Sequence, residues 1–84
     1  MNYRVMTLPG AQRELVKLPP GAYESIRDAI LALALNPRPP GCTMLSGREA
    51  WRIRQGDYRV IYEIDDQLKI VTVTRVRHRR EAYR

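Results

Sequence analysis

The spacing of apolar residues changes partway along this chain, and that change limits the possible folds more than any other feature. Before Asn36, apolar residues recur every three or four positions, as on one face of a helix. After about Ala50, apolar and polar residues alternate, as in strands. A chain of 84 residues suffices for one small domain. We therefore predict a single α+β domain over residues 1–84, an antiparallel sheet with two N-terminal helices packed on one face.

Proline and glycine mark the ends of the elements in the first half. A short strand is expected over residues 3–8 and a first helix over residues 9–18, because Pro19-Pro20 cannot continue a helix. A second helix is expected over about residues 20–35 and ends before Pro37. Residues 36–41 contain three prolines and predict a stiff connector rather than a flexible linker between domains.

The second half predicts three strands, at about residues 50–54, 58–64 and 68–76. Gly56-Asp57 and the polar residues 65–67 are the turn signals between them. Strands joined by such short turns pair antiparallel. We expect a three-stranded meander, with Trp51 in the core.

The first turn of this meander predicts a cluster of arginines. If Gly56-Asp57 forms a two-residue turn, Arg54 pairs with Arg59, and both lie on the same sheet face as Arg52. Like charges on neighbouring strands repel, typically by up to about 1 kcal/mol per pair, so stability does not favour the arrangement. A bound phosphate would relieve the repulsion. The alternative is that these are ordinary exposed arginines balanced by nearby carboxylates.

The overall charge also favours a polyanionic partner. The formal net charge is +6, and ten of the fifteen basic residues lie in residues 48–84. Arginine outnumbers lysine thirteen to two, and its planar fork suits bidentate contact with phosphate. Nucleic acid is therefore the expected partner, and the second half of the chain is the expected contact surface.

Residues 75–84 combine five arginines with His78 and Tyr83. Cleavage of RNA without a metal ion requires a base for the 2′-hydroxyl proton, cations that stabilise the phosphorane and an acid for the leaving oxygen. His78 and Tyr83 are the candidate proton carriers. His78 has the alternative of a histidine at the sheet end, and Tyr83 that of an aromatic that packs the chain end or stacks on an RNA base.

The sequence predicts no cofactor and no metal. One cysteine, Cys42, and one histidine cannot form a disulfide or a closed zinc site. We expect Cys42 to be inert, the protein to lie in the reducing cytoplasm, and no segment to enter a membrane.

Four segments together resemble a known family. They are Met44-Leu45-Ser46-Gly47, Trp51-Arg52-Ile53-Arg54, the run from Gly56 to Tyr62, and the run from Val76 to Tyr83. In this order and spacing the chain resembles the RelE branch of the RelE/ParE toxin superfamily. The resemblance implies a microbial RNase-like fold that acts on mRNA in the ribosomal A site and is held inactive by a cognate, RelB-like antitoxin.

The resemblance also implies roles for individual residues. Arg52 and Arg54 would contact the scissile phosphate and stabilise the transition state, together with Arg59. Arg79 would stabilise or protonate the leaving group. Tyr83 would be the general base, and His78 would share this role or take the place of Tyr83. The sequence departs from the family pattern at Arg77, where members often have glycine.

Three functions are compatible with these observations. The first is a ribosome-dependent endoribonuclease, an mRNA interferase that inhibits translation, whose complex with its antitoxin would also bind operator DNA. The second is a ParE-like toxin that inhibits DNA gyrase without a nuclease site. The third is a nucleic-acid-binding module without activity, which gives no reason for the histidine and tyrosine near the chain end.

Overall fold

The computed structural model describes residues 2–45 and 49–80. Within them lie two helices and five strands. In chain order these elements are β1 (Arg4–Thr7), α1 (Pro9–Val16), α2 (Pro20–Ala32), β2 (Thr43–Met44), β3 (Ala50–Gln55), β4 (Tyr58–Asp65) and β5 (Ile70–His78).

Proline determines where both helices begin. Each helix has proline in its first turn, where the missing N–H removes no intrahelical bond. The helix α2 ends at Ala32, three residues earlier than the predicted end at residue 35. Its last turn tightens, because Leu33 donates its backbone N–H to the Ile30 carbonyl at 3.1 Å. No helix in the described part of the chain has the length and apolar character needed to span a bilayer.

The five strands form one sheet in the order β1-β5-β4-β3-β2. The strands β3, β4 and β5 form the predicted antiparallel meander, and β2 pairs antiparallel with β3. The strand β1 pairs parallel with β5. A parallel pair requires a long connection, and here it contains both helices and the other three strands. The predicted α+β class is confirmed, with the refinement that the sheet is mixed.

The last strand begins later than predicted. We expected it over residues 68–76, whereas β5 spans Ile70–His78. Leu68 is 68% exposed in the preceding turn, where its backbone N–H donates to the Asp65 carboxylate at 2.9 Å. Lys69 completes the turn with a positive φ of 58°. The prediction placed Leu68 in the strand because it is apolar. The Asp65 side chain instead holds Leu68 in the turn, which is therefore longer than the predicted turn over residues 65–67.

The core lies between the two helices and one face of the sheet. Its helical side chains include Leu15, Ile26, Ile30 and Leu33, and its strand side chains include Val60, Tyr62, Val71, Val73 and Val76. Tyr62 is fully buried, and its hydroxyl donates to the Pro37 carbonyl at 2.7 Å. Burial raises the pKa of Tyr62, so its hydroxyl stays protonated and holds the proline-rich connector against the core.

Arg38 covers the border of this core. Its guanidinium lies 5.0 Å from the centre of the Trp51 ring and donates to both carboxylate oxygens of Asp66, at 3.2 and 2.9 Å. Tyr3 donates its hydroxyl to the same carboxylate at 2.6 Å. Trp51 is only partly buried, so it lies at the edge of the core rather than in it as predicted.

Candidate functional site: the arginine face

The turn between β3 and β4 sets the register of the first hairpin. Gln55 pairs with Tyr58 and Arg54 pairs with Arg59, as a two-residue turn requires. Gly56 has a φ of 61°, whereas Asp57 does not have a positive φ, and this combination is typical of a type II′ turn. The predicted register is confirmed.

This register places Arg52, Arg54 and Arg59 on the sheet face opposite the helices, because side chains alternate along a strand. The arginines are not equally accessible. Arg54 is exposed, Arg52 is half-buried and Arg59 is only 5% exposed. The Arg59 guanidinium therefore experiences a lower effective dielectric than the other two, which strengthens its interaction with an anion.

The strand β5 adds two further arginines to this face. Arg77 is the Cα partner of Arg59, and Arg75 is the Cα partner of Ile61. We call this surface, formed by Arg52, Arg54, Arg59, Arg75 and Arg77, the arginine face. Across it Arg54, Arg59 and Arg77 form a row over three neighbouring strands.

A β-bulge determines which side chains of β5 reach the arginine face. Tyr62 pairs with Val73 and Ile61 pairs with Arg75, so Thr74 is an extra residue in β5. Before the bulge Val73 faces the core, and after it Val76 does. If Thr74 were paired in a regular strand, simple alternation from Val73 would turn Arg75 and Arg77 toward the core. Thr74 also donates its hydroxyl to the Ile61 carbonyl at 3.2 Å, next to the bulge.

One carboxylate of α1 approaches the arginine face. Glu14 Oε2 lies 3.0 Å from Arg77 Nε and 4.0 Å from Arg75 Nη1. Glu14 Oε1 accepts a hydrogen bond from the Val76 backbone N–H at 2.9 Å. The basic surface is therefore tied to a helix that lies on the other side of the sheet.

His78 lies on the helix side of the sheet, away from the arginine face. It is the Cα partner of Tyr58, and the two rings meet edge to face with centroids 5.3 Å apart. Gln55, which pairs with Tyr58, donates its side-chain amide to Ser25 of α2 at 2.7 Å, and this identifies the face. His78 Nδ1 also accepts the backbone N–H of Arg80 at 3.2 Å. The structure therefore does not bring His78 together with Arg52, Arg54 and Arg59, which lie on the opposite face.

Arg79 follows β5 directly and lies beside the first hairpin turn. Its backbone N–H donates to the Asp57 carbonyl at 2.8 Å, and its Nε lies 4.0 Å from the Asp57 carboxylate. Both side chains are largely exposed, so this ion pair is weak. The predicted general base, Tyr83, lies outside the described residues.

The other end of the same sheet face has the opposite charge. A groove of about 850 Å³ is lined there by Glu49, Glu63, Asp65 and Asp66 together with apolar side chains such as Met6. Negative charge makes this groove unsuitable for phosphate. Among residues 2–45 and 49–80, no group of three His, Cys, Asp or Glu side chains is arranged to hold a metal ion.

The sequence of this chain matches a family model over residues 5–83, nearly its whole length. The model describes the ParE toxin of the type II toxin–antitoxin system parDE. The chain belongs to the RelE/ParE toxin superfamily.

Individual relatives agree with this assignment. The toxin is 35% identical over 88 residues to Toxin RelG of Mycobacterium tuberculosis, a match that covers 100% of this chain and 99% of RelG. Its fold is similar to a chain of the toxin–antitoxin complex RelBE2 from Mycobacterium tuberculosis, with a TM-score of 0.83, 30% identity, and coverage of 93% of this chain and 99% of that one. The archaeal RelE–RelB complex from Pyrococcus horikoshii gives a TM-score of 0.84 with 28% identity, covering 94% and 97%.

Two features of the toxin were missed by reasoning from its sequence. Arg75 and Arg77 join the predicted arginines, and Glu14 reaches them from α1. A signal for the arginines was present, because Val71, Val73 and Val76 alternate with one extra residue between the last two. Glu14 had no such signal, since its contacts join positions more than 60 residues apart.

Proposed function

We propose that this toxin is an endoribonuclease that cleaves mRNA in the ribosomal A site and binds the scissile phosphate on its arginine face. The main support is the row of Arg54, Arg59 and Arg77 across three strands of one face. Guanidinium groups at adjacent strand positions repel one another. A phosphodiester bound across the row offsets this repulsion and accepts paired N–H donors.

The reaction proposed is attack of the 2′-hydroxyl on the adjacent phosphorus, without a metal ion. A general base takes the 2′-hydroxyl proton, the new oxygen–phosphorus bond forms, and negative charge accumulates on the non-bridging oxygens. Arg52, Arg54 and Arg59 stabilise that charge. The bond to the 5′-oxygen then breaks, and Arg79 stabilises or protonates this leaving group. We assign the base to Tyr83.

The burial of Arg59 supports this electrostatic role. A donor that is fixed before the reaction needs no reorganisation when charge develops, and loss of one such donor typically costs 100-fold to 1,000-fold in rate. Arg54 is exposed and is suited to the approach and binding of RNA. His78 is the alternative base, but its position on the helix side favours Tyr83 for chemistry at the arginine face.

The decisive experiment maps the ends of mRNA after incubation of the purified toxin with ribosomes programmed with a defined message. We expect new ends within the A-site codon. The matched variants are Arg59→Gln, expected to abolish the cuts, and Arg13→Gln, which removes the same charge from the exposed surface of α1 and should leave them unchanged. Absence of new ends with the wild-type toxin would refute the proposal, and tight RNA binding without cleavage would indicate a binding module.

A second candidate is the inhibition of DNA gyrase, as in ParE-like toxins. The matching family model is that of ParE toxins, and this fold does not require a nuclease site. A supercoiling assay with purified gyrase distinguishes the two functions. Inhibition of supercoiling, together with intact mRNA on ribosomes, would establish the second candidate in place of the first.

We also propose that a cognate, RelB-like antitoxin covers this toxin in the cytoplasm, and that the complex binds operator DNA. Similar toxins have been solved as RelBE2 and RelE–RelB complexes. Val16, Leu31 and Leu35 are large apolar side chains that are more than half exposed, as expected of a surface that a partner covers. Coexpression with the neighbouring gene product should yield one stable complex without RNA cleavage. A toxin that stays monomeric and fully active on coexpression would contradict this.

A further inference from the structure

The strand β5 loses its neighbour halfway along one edge. Its pairing with β1 covers only Ile70 to Val73, and the last bond at this edge runs from the Leu8 N–H to the Val73 carbonyl at 2.9 Å. The next part of β5 contains Arg75 and Arg77 of the arginine face. Where the pairing ends, β1 gives way to α1, and Glu14 of this helix accepts the Val76 backbone N–H at 2.9 Å. The carboxylate thus replaces the carbonyl of a missing strand.

The second oxygen of the same carboxylate contacts the arginine face. Glu14 Oε2 is 3.0 Å from Arg77 Nε, and the two side chains retain only 27% and 31% of their exposure. An ion pair that is this protected from solvent is screened less than one on the open surface. Arg77 Nε makes no hydrogen bond within the described residues, and the guanidinium has four further N–H donors besides it.

We propose that Glu14 is a positioning residue, which holds Arg77 beside Arg59 as an additional phosphate-binding side chain. Glu14 accepts the backbone N–H of Val76, and its other oxygen lies at ion-pair distance from Arg77 without a hydrogen bond to Nε. It therefore fixes the path of the strand and attracts the guanidinium by charge. This inference rests on the proposed cleavage of RNA. Glu14 of α1 and Arg77 of β5 thereby join the site residues that were expected from the sequence.

The test compares Glu14→Gln with Glu24→Gln, which removes the same charge from the exposed surface of α2. Single-turnover cleavage on programmed ribosomes, at increasing toxin concentration, gives a maximal rate and a half-saturating concentration. Removing a negative charge from a basic surface should leave RNA binding equal or tighter. Misplacing Arg77 should lower the maximal rate by roughly tenfold. Glu24→Gln should change neither the maximal rate nor the half-saturating concentration. A general loss of structure in Glu14→Gln would worsen both quantities, whereas a positioning role lowers only the maximal rate.

A double-variant cycle tests whether Glu14 acts through Arg77. Arg77→Gln alone should lower the maximal rate by about tenfold, and adding Glu14→Gln should then lower it by less than about twofold. Multiplicative losses in the double variant would overturn the proposal. An undiminished maximal rate in Glu14→Gln would overturn it as well.

Amide hydrogen exchange separates this inference from the proposed function, because it requires no RNA. Glu14→Ala should accelerate exchange of the Val76 amide, whereas Glu14→Gln, which keeps an oxygen acceptor, should do so less. If the wild-type toxin does not cleave mRNA, the proposed function fails while the exchange result still decides whether Glu14 holds β5. Unchanged Val76 exchange in Glu14→Ala would refute the positioning role under either outcome.

Discussion

Arg59 and Arg54 are direct cross-strand partners, yet their surroundings differ sharply. Arg59 is only 5% exposed, whereas Arg54 is open to solvent. A buried guanidinium can satisfy its donors only in one orientation, while an exposed one can exchange partners with water. The two arginines should therefore differ in their tolerance of lysine, which has the charge but not the planar fork.

We predict that Arg59→Lys lowers mRNA cleavage by about 100-fold, whereas Arg54→Lys lowers it by less than about tenfold. The physical reason is that the buried site requires directed donors and the exposed site mainly requires charge. Cleavage on programmed ribosomes measures the effect. Thermal unfolding of each variant serves as the control for folding, and equal losses in two folded variants would contradict the distinction.

At the scale of elements, the bulge in β5 controls both faces of the sheet. Thr74 is the extra residue, and its position lets Val73 and Val76 both face the core while the arginines between and beyond them face outward. A shift of one residue in a strand exchanges its two faces. As long as Thr74 is present, the bulge therefore keeps Arg75 and Arg77 on the arginine face.

We predict that the toxin still folds when Thr74 is deleted, because Val73, Arg75, Val76 and Arg77 then alternate regularly and each keeps its present face. Thr74→Val keeps the extra residue and loses only the hydrogen bond to Ile61, so it should cost about 1 kcal/mol of unfolding free energy. Urea denaturation followed by circular dichroism measures both. A deletion variant that does not fold would show that β5 requires the bulge itself, and not only the alternation of its side chains.

On the scale of the whole molecule, Asp66 joins segments that are far apart in the sequence. It accepts hydrogen bonds from Arg38 of the connector and from Tyr3 near β1, while it lies itself in the turn between β4 and β5. The hydrogen bonds from Arg38, followed by that from Tyr3, lower the pKa of Asp66 to about 2. The Asp66 side chain is 54% exposed, so solvent screening weakens its contribution.

The sign of the pH dependence follows from this lowered pKa. Asp66 binds protons more weakly in the folded chain than in the unfolded one, so its stabilisation is present above its ordinary value of 3.8 and is lost as the pH falls toward about 2. We predict that Asp66→Asn lowers the urea midpoint at pH 7, and that its difference from wild type shrinks between pH 4 and pH 2. A difference that stays constant over this range would rule out the ionised carboxylate as the cause.

Much of this architecture could be predicted because it depends on local information. Proline restricts the backbone of its own residue and of the one before it, so the helix limits could be placed within a few residues. The Gly56-Asp57 turn and the two-residue period of strands are also local, and together they determined that Arg52, Arg54 and Arg59 share a face. The family resemblance added Arg79 as a candidate, whereas Tyr83 was already a candidate proton carrier from the composition of residues 75–84.

Other features depend on contacts between distant segments, and only the tertiary structure decided them. The parallel pairing of β1 with β5 brings α1 to the open edge of β5, and that placement makes Glu14 a neighbour of Arg77. The side of the sheet on which His78 lies depends on the register after the bulge. By itself, the sequence determined which side chains share one face of a hairpin, because the turn and the alternation are local. The folded chain decided which distant carboxylate meets them, because that meeting requires the packing of a helix on the sheet.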